Sequence, residues 1–514
     1  MKVDIAVIGG GIGGTMAALS AAKSGKRVLL TEESDWIGGQ LTSQGVPPDE
    51  HAFIETEGAT QSYLAFRQAV RDHYHRFYPL KEENPLLNPG NGWVSRLAHE
   101  PKVAHTILTS MLAPYVTQGL LTIWTKTVPL SAHMEGRRID AVTVRRLSEE
   151  VVVEAKLFID ATELGDLLPL TNTAYTTGAE ARSDTLEKDA SEVARPNDVQ
   201  PITHIVALEW REGESHRIEK PAMYEFFASY QPDFFPHRLI SEYIPDAATG
   251  EPKRLPLFGE DHELPLWSYR RVIDASLYNG FTRDVSLLNW PQNDYFMGTI
   301  LDVSEEEKER RLEEARQLSL SLVYWLQTEA PRGKTKGYPE LALSEALGTK
   351  DGLAMYPYIR EARRIHAKYR ITARDLAVKE REAEGAAVSY WDSVGVGSYH
   401  IDLHPTTETN RLFYARSYPF ELPLGALIPQ ETENLLPACK NIGTTQLSNG
   451  CYRVHPVEWN IGEVAGAFAA RVVERGGTVQ EAYADRKFVS DFQEQLDSSG
   501  VQRKWSESLI PKYS

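Results

Sequence analysis

Apolar and polar positions change period twice between Val3 and Glu33. Val3-Asp4-Ile5-Ala6-Val7-Ile8 is a short apolar run, an Ala-rich stretch to Ser24-Gly25 has helical spacing, and Val28-Leu29-Leu30-Thr31 is a second apolar run ending at Glu32-Glu33. With Gly9-Gly10-Gly11-Ile12-Gly13-Gly14 between the first run and the helix, this order predicts a βαβ unit of about 30 residues. Beyond it, Tyr63, Phe66, Val70, Tyr74 and Phe77 recur at helical spacing and predict a helix over Thr60 to Tyr78. A second helix is expected from Pro101 to Tyr115, followed by strands at Leu120 to Thr127, Ile139 to Arg145 and Leu157 to Asp160. From Tyr175 to Gln200 the chain turns polar, and residues 201–300 alternate in runs such as Ile202-Thr203-His204-Ile205-Val206, which predicts mostly β structure. Ser304 and Glu307 form a capping-box pair before a long helix to Thr328, whose stripe of Leu312, Ala315, Leu318, Leu322 and Trp325 is expected to pack inward. Thr372 with Asp375 predicts another helix start, and Lys379 to Glu384 a solvated charged face. Asn434 to Gly443 reads as a strand and turn. Pro456 to Glu474 reads as a helix whose Gly462, Ala465, Gly466 and Ala469 make a small-residue face, suited to close packing on a sheet or a flavin.

The glycines give the first unit its chemistry. Gly9 permits a tight turn out of the strand, Gly11 lets backbone approach a pyrophosphate, and Gly14 allows close packing of helix on sheet, with Gly13 beside them. Phosphates would sit at the helix N-terminus, where free N–H groups and the macrodipole favour an anion. Glu32, at the end of the second strand with Glu33 next to it, is placed to accept from ribose hydroxyls and would repel a 2′-phosphate, so FAD or NAD is expected. Trp36-Ile37-Gly38-Gly39-Gln40-Leu41-Thr42 resembles the segment that glutathione-reductase-like flavoproteins lay along the pyrophosphate and ribityl chain. That resemblance selects FAD, with Gly39, Gln40 and Thr42 as contacts. In flavoproteins of this fold the backbone near Thr127-Val128 would meet the adenine.

At 514 residues the chain is long enough for two or three domains with sizeable cores. A formal net charge of −17 argues against a nucleic-acid partner. Two cysteines, Cys439 and Cys451, make a disulfide scaffold or a cysteine metal site unexpected, and no metal site is predicted. Asp4 and the glycines rule the N-terminus out as a signal peptide, and no stretch of 18 uncharged apolar residues suggests a membrane span, so a cytoplasmic enzyme without nucleic-acid or membrane partners is expected. An oligomer is compatible with the sequence.

Several segments together resemble the bacterial FAD-dependent oxidoreductase family related to fumarate reductase flavoproteins, some of whose members carry the label xanthan lyase. They are Gly9 to Gly14, Gly38 to Thr42, Gly92-Trp93-Val94-Ser95-Arg96, Ala161-Thr162-Glu163-Leu164-Gly165-Asp166, Leu288 to Tyr295, Tyr358 to Arg364 and Pro456 to Gly462, and they span nearly the whole length. The chain departs from the family pattern at Ala98, where a cysteine is common, and at His455-Pro456, where Met-Pro is common. The resemblance implies an α/β fold: a discontinuous Rossmann-type FAD-binding domain with an inserted α+β, mostly β, substrate domain. The expected boundaries are 1–175 for the first part of the FAD domain, 176–400 for the substrate-covering domain, 401–475 for the C-terminal return and 476–514 for a helical tail. It also implies that Ala161, Thr162, Asn441, Asn460 and Ile461 close around the cofactor, with Val457 to Asn460 near the flavin N1/O2 side.

Flavin chemistry needs a substrate C–H near N5 and a group that takes the accompanying proton. In Tyr399-His400-Ile401-Asp402-Leu403-His404, alternation puts His400, Asp402 and His404 on one strand face. A base with its orienting partner, a metal site and a polar structural face all remain open there. His455 is a rival base. Arg360, with Arg363 and Arg364, is placed either to clamp an oxyanion or to form ion pairs with acids such as Glu361. Cys451 is expected to be a buried free thiol. The activity expected is removal of hydride from a carbon bearing O or N in a small polar substrate. The alternative is a lyase-like or binding protein that keeps FAD for structure. No second glycine fingerprint follows the first, so NADH is not expected to be a direct electron donor.

Overall fold

The computed structural model describes all residues except 260–263, 281–282 and 507–514. Strand β1 (Lys2–Ile8), helix α1 (Ile12–Lys23) and strand β2 (Val28–Thr31) form the expected βαβ unit. Helices α2 (Gln61–Phe77) and α3 (Pro101–Thr117) follow, then β3 (Leu121–Trp124), β4 (Thr127–Glu135), β5 (Arg138–Arg146) and β6 (Glu149–Asp160). Thr60 caps α2 by accepting from the Tyr63 N–H, and Pro101 opens α3. One sheet runs in the order β3-β2-β1-β6-β5-β4, parallel from β3 to β6 and antiparallel from β6 to β4. The stretch expected as one strand from Leu120 to Thr127 is broken. Lys126 takes a left-handed turn at φ +52°, which ends β3 and sends β4 to the far edge of the sheet.

The first half of β6 pairs with β5, and its last residues, Phe158 to Asp160, pair in parallel with the returning strand Leu435–Pro437. The C-terminal part of the chain therefore completes the sheet that the N-terminal part begins.

The middle of the chain builds smaller antiparallel sheets. Val206–Trp210, Arg271–Ile273, Val285–Leu288 and Leu341–Leu343 form one, and Ile202–Thr203, Asp294–Tyr295 and Tyr358–Ile359 form another. Helix α4 (Glu305–Thr328) starts at Ser304, whose side chain accepts from the Glu307 N–H, and buries Ala315, Leu318 and Leu322 in a core with Leu208, Leu288 and Trp290. The helix expected at Thr372 is a single turn, Ala373–Asp375. Both Asp375 oxygens are used locally, by Tyr369 and by Thr372, and Leu376 leaves helical geometry so that Ala377 can bridge to Ser417.

Helix α5 (His455–Arg475) lies along α1 with backbone against backbone. A Cβ at Gly462 would fall 2.1 Å from the Gly13 carbonyl oxygen, and one at Gly466 would fall 2.1 Å from that of Ala17. The small-residue face of α5 is thus spent on α1. Helix propensity alone makes Gly466→Ala stabilising by about 1 kcal/mol, whereas overpacking against a fixed backbone costs about 1–3 kcal/mol. We expect the loss, measured as a lower urea midpoint at unchanged m-value; a gain would contradict this helix contact.

Candidate functional site

The turn after β1 is built to let other segments of the chain approach closely. Gly9 has φ +101°, and a Cβ there would lie 2.2 Å from the Ala161 carbonyl oxygen; a Cβ at Gly13 would lie 1.6 Å from that of Ala438. Glu32 ends β2 and is buried; its carboxylate accepts from the Gly10 N–H at 3.1 Å and from Ser34 N–H and Oγ–H at 2.8 and 2.6 Å. Burial raises its pKa to about 7 against the pull of the Ser34 bonds. Glu33 is half-buried beside it. The Thr127 N–H bonds to the Glu32 carbonyl, which brings Val128 next to this strand end. Gly38 and Gly39 have φ +106° and +48°, and the Gly38 N–H bonds to the Gly10 carbonyl, so the second glycine segment folds over the first. Thr42 donates its hydroxyl to Ile37 within that turn.

Behind the glycines lies a buried polar network that motif reasoning did not single out. Lys440 Nζ contacts Glu163 Oε2 at 2.5 Å and Glu458 Oε2 at 3.7 Å, and Gln40 Nε2 donates to Glu458 at 2.6 Å and to the Arg453 carbonyl at 3.1 Å. Glu458 also accepts from the Gly13 N–H at 3.4 Å, near the N-terminus of α1. Lys440 and Glu163 stand in segments singled out as strand ends, but only the fold brings them together. Thr162 bonds to Asp160, and Asn441 Nδ2 donates to the Asp160 carbonyl, tying the ends of β6 and Leu435–Pro437. Asn460 Nδ2 donates to the Val394 carbonyl at 3.4 Å, and Ile461 is fully buried, so both face protein.

The parts fit a flavin dinucleotide: an anion-favouring helix start, a buried carboxylate at the end of the second strand, and the Gln40 Oε1, which is buried without a partner. Gly9, Gly11, Gly39, Gln40 and Glu32 would hold the cofactor.

Gln40, through Arg453, connects this cradle to a cavity of about 460 Å³. His400, Asp402, His404, Arg360 and Arg453 line it with Tyr358, Tyr399 and Tyr414, and Trp93, Tyr269 and Arg270 form another part of its wall. Ile401 and Leu403 are buried, while Asp402 and the two histidines of the alternating run face the cavity. Arg360 Nη2 pairs with Asp294 Oδ1 at 2.9 Å; Asp294 Oδ2 meets His404 Nδ1 at 2.5 Å; His404 Nε2 lies 3.6 Å from Asp402 Oδ2; and Asp402 lies 3.6 Å from Arg453 Nη2. Asp294 lies in the segment Leu288 to Tyr295 that resembles the family, but the sequence singles out neither it nor Arg453 as a site residue.

The two histidines of this run are in opposite electrostatic settings. Burial and Arg360 both disfavour a charged His404, but Asp294 and Asp402 outweigh them and its pKa is raised. The pKa of His400 is lowered by burial; its ring stacks on Tyr399 at 4.1 Å and meets the tilted Tyr414 ring at 4.6 Å, and its ring nitrogens make no hydrogen bond among the described residues. His455 lies outside the cavity. The Asp49 N–H donates to its Nδ1, its Nε2–H donates to the Val46 carbonyl, and burial lowers its pKa to about 4, which describes a neutral structural imidazole. Arg363 and Arg364 are spent on Asp166 and Asp302 and on Glu180 and Glu361, so of the three arginines Arg360 alone lines the cavity. Cys439 and Cys451 are buried free thiols, and no cluster of metal-ligating side chains occurs among the described residues. No helix among them is long and apolar enough to cross a membrane.

Over 175 residues the chain is 28% identical to a digeranylgeranylglycerophospholipid reductase of Picrophilus torridus, a match spanning 31% of this chain and 39% of that relative's length. Among solved structures it is similar to a geranylgeranyl bacteriochlorophyll reductase-like protein of Thermoplasma acidophilum (12% identity, TM-score 0.30, 100% of this chain and 95% of the other). It is also similar to the myxobacterial chondrochloren halogenase (13% identity, TM-score 0.31, 100% and 88%). The family model described as FAD dependent oxidoreductase matches residues 4–496, nearly the full length, and the chain belongs to that FAD-dependent family.

Proposed function

We propose that the protein removes hydride from a carbon bearing O or N in a small polar substrate bound in the 460 Å³ cavity. When bound, FAD supplies the hydride acceptor. The chain supplies the proton acceptor and the fixed charges around it. His400 carries this reading: it faces the cavity with free ring nitrogens, burial lowers its pKa and so favours the neutral imidazole, and it lies two residues from the Asp402 carboxylate. His404 is held as an imidazolium between Asp294 and Asp402, so it contributes a fixed positive charge. Arg360 and Arg453 hold those two carboxylates ionised, and Asp402 is kept well below the ordinary range although burial opposes it. A substrate hydroxyl or amine would give its proton to His400, while the cationic side of the cavity stabilises negative charge that develops on it.

This reading fixes the acid limb of the pH profile. His400 must be neutral, and its lowered pKa places the fall of kcat/KM below pH 6.5, the ordinary imidazole value. His400→Asn should slow turnover by roughly 10²- to 10⁴-fold and remove that limb; a limb above pH 7, or one that survives the substitution, would contradict the assignment. Anaerobic substrate should bleach the flavin, whereas NADH should not reduce it rapidly. Turnover without any bleaching would favour a lyase.

Glu32 generates the prediction for cofactor binding. Losing charge-assisted bonds worth roughly 1.5–3 kcal/mol, Glu32→Ala should bind FAD about ten- to a hundredfold more weakly, with Glu33→Ala much less affected. In the flavin-free chain Glu32 titrates near 7 rather than 4.5, so the stability present below pH 4.5 is lost as the pH rises through 7. Glu32→Gln should flatten that decline in thermal midpoint between pH 4.5 and 7; an unchanged decline would assign it to another group.

A further inference from the structure

The Glu163 carboxylate stands in the cradle itself. Its Oε1 lies 2.6 Å from where a Cβ at Gly11 would be and 2.8 Å from the corresponding point at Gly39, so it fills the space between the two glycine segments. Gly11 is the residue whose missing side chain lets a diphosphate come close to the backbone. Buried Lys440, at 2.5 Å from Oε2, holds the carboxylate there. Glu458 Oε2 lies 3.7 Å from the same ammonium, its Oε1 lies 3.7 Å from the Gly11 Cβ point and accepts from the Gly13 N–H, and Glu32 and Asp160 close the acidic surroundings. Among the described residues, the positive groups paired with these carboxylates are Lys440 and the start of α1, and both are already engaged.

We propose that Glu163 is a built-in stand-in for the dinucleotide diphosphate. In the flavin-free chain it neutralises Lys440 and occupies the gap between Gly11 and Gly39; FAD binding exchanges one anion for another and requires the Glu163 side chain to swing out. Two like charges cannot share so small a buried space without large repulsion. Glu163 then sets how readily the protein loads and keeps its cofactor, independently of which substrate fills the neighbouring cavity.

The experiment is FAD titration of flavin-free protein, followed by flavin fluorescence quenching and by stopped flow. Glu163→Gln, nearly isosteric, and Glu163→Ala should each bind FAD on the order of tenfold more tightly and should associate faster. Both should lower the thermal midpoint of the flavin-free chain, because Lys440 loses its partner. For the unaltered protein the observed association rate should level off at high FAD concentration, since the side chain must first vacate the cradle. Equal or weaker FAD binding by the folded variants would overturn the proposal and make Glu163 a cofactor-holding residue. If neither variant folds, an association rate that stays linear in FAD concentration for the unaltered protein would overturn it as well.

Discussion

The backbone-to-backbone contact between α1 and α5 is the constraint on which the site depends. Gly13 and Ala17 on one helix meet Gly462 and Gly466 on the other, and no side chain separates them. This seam joins residues more than 400 positions apart and presses the first turn of α5 against the glycine turn of β1 and α1. Glu458 can therefore reach the Gly13 N–H, Gln40 can reach Glu458, and Arg453, just before α5, can face the cavity. Completion of the sheet by Leu435–Pro437 on β6 acts in the same direction, because it delivers Lys440 beneath the cradle. The FAD-binding half of the site and the cavity are two sides of one packed contact.

Charge is distributed unequally across that contact. On the cofactor side, acids outnumber bases: Glu163 and Glu458 share Lys440, and Glu32 accepts from the Gly10 N–H and Ser34. On the cavity side, carboxylates and cations alternate from Arg360 through Asp294, His404 and Asp402 to Arg453. A chain of this kind keeps each member ionised and in place. It leaves His400, packed between tyrosine rings, as the uncharged basic side chain of the group. The short strand Ile401–Leu403 is thus flanked by an imidazole whose pKa is lowered, His400, and one whose pKa is raised, His404, each two positions from Asp402.

Much of the fold was legible because its signals are local. The βαβ unit, the cap at Thr60, the start of α4 at Ser304 and the small face of α5 all follow from neighbouring residues. Lys126 and Asp375 show where local reading stops: a left-handed residue divides one apolar run into two strands, and tertiary bridging at Ala377 ends a promising helix after one turn. Alternation alone placed His400, Asp402 and His404 on one face. Their different electrostatic settings depend on Asp294, which lies 110 positions before His404 in a segment that resembles the family but does not show that the two meet. His455 shows the opposite limit, for its position before a cofactor-type helix suggested a base while Val46 and Asp49 occupy both ring nitrogens.

The central claim is that the two cavity histidines are held in opposite charge states, and long-range 1H–15N NMR of protein labelled at histidine nitrogens reads it directly. At pH 6.5 the account predicts His404 with both ring nitrogens protonated and His400 as a neutral imidazole, each assigned through its Asn variant. A protonated His400 or a neutral His404 at that pH would contradict it.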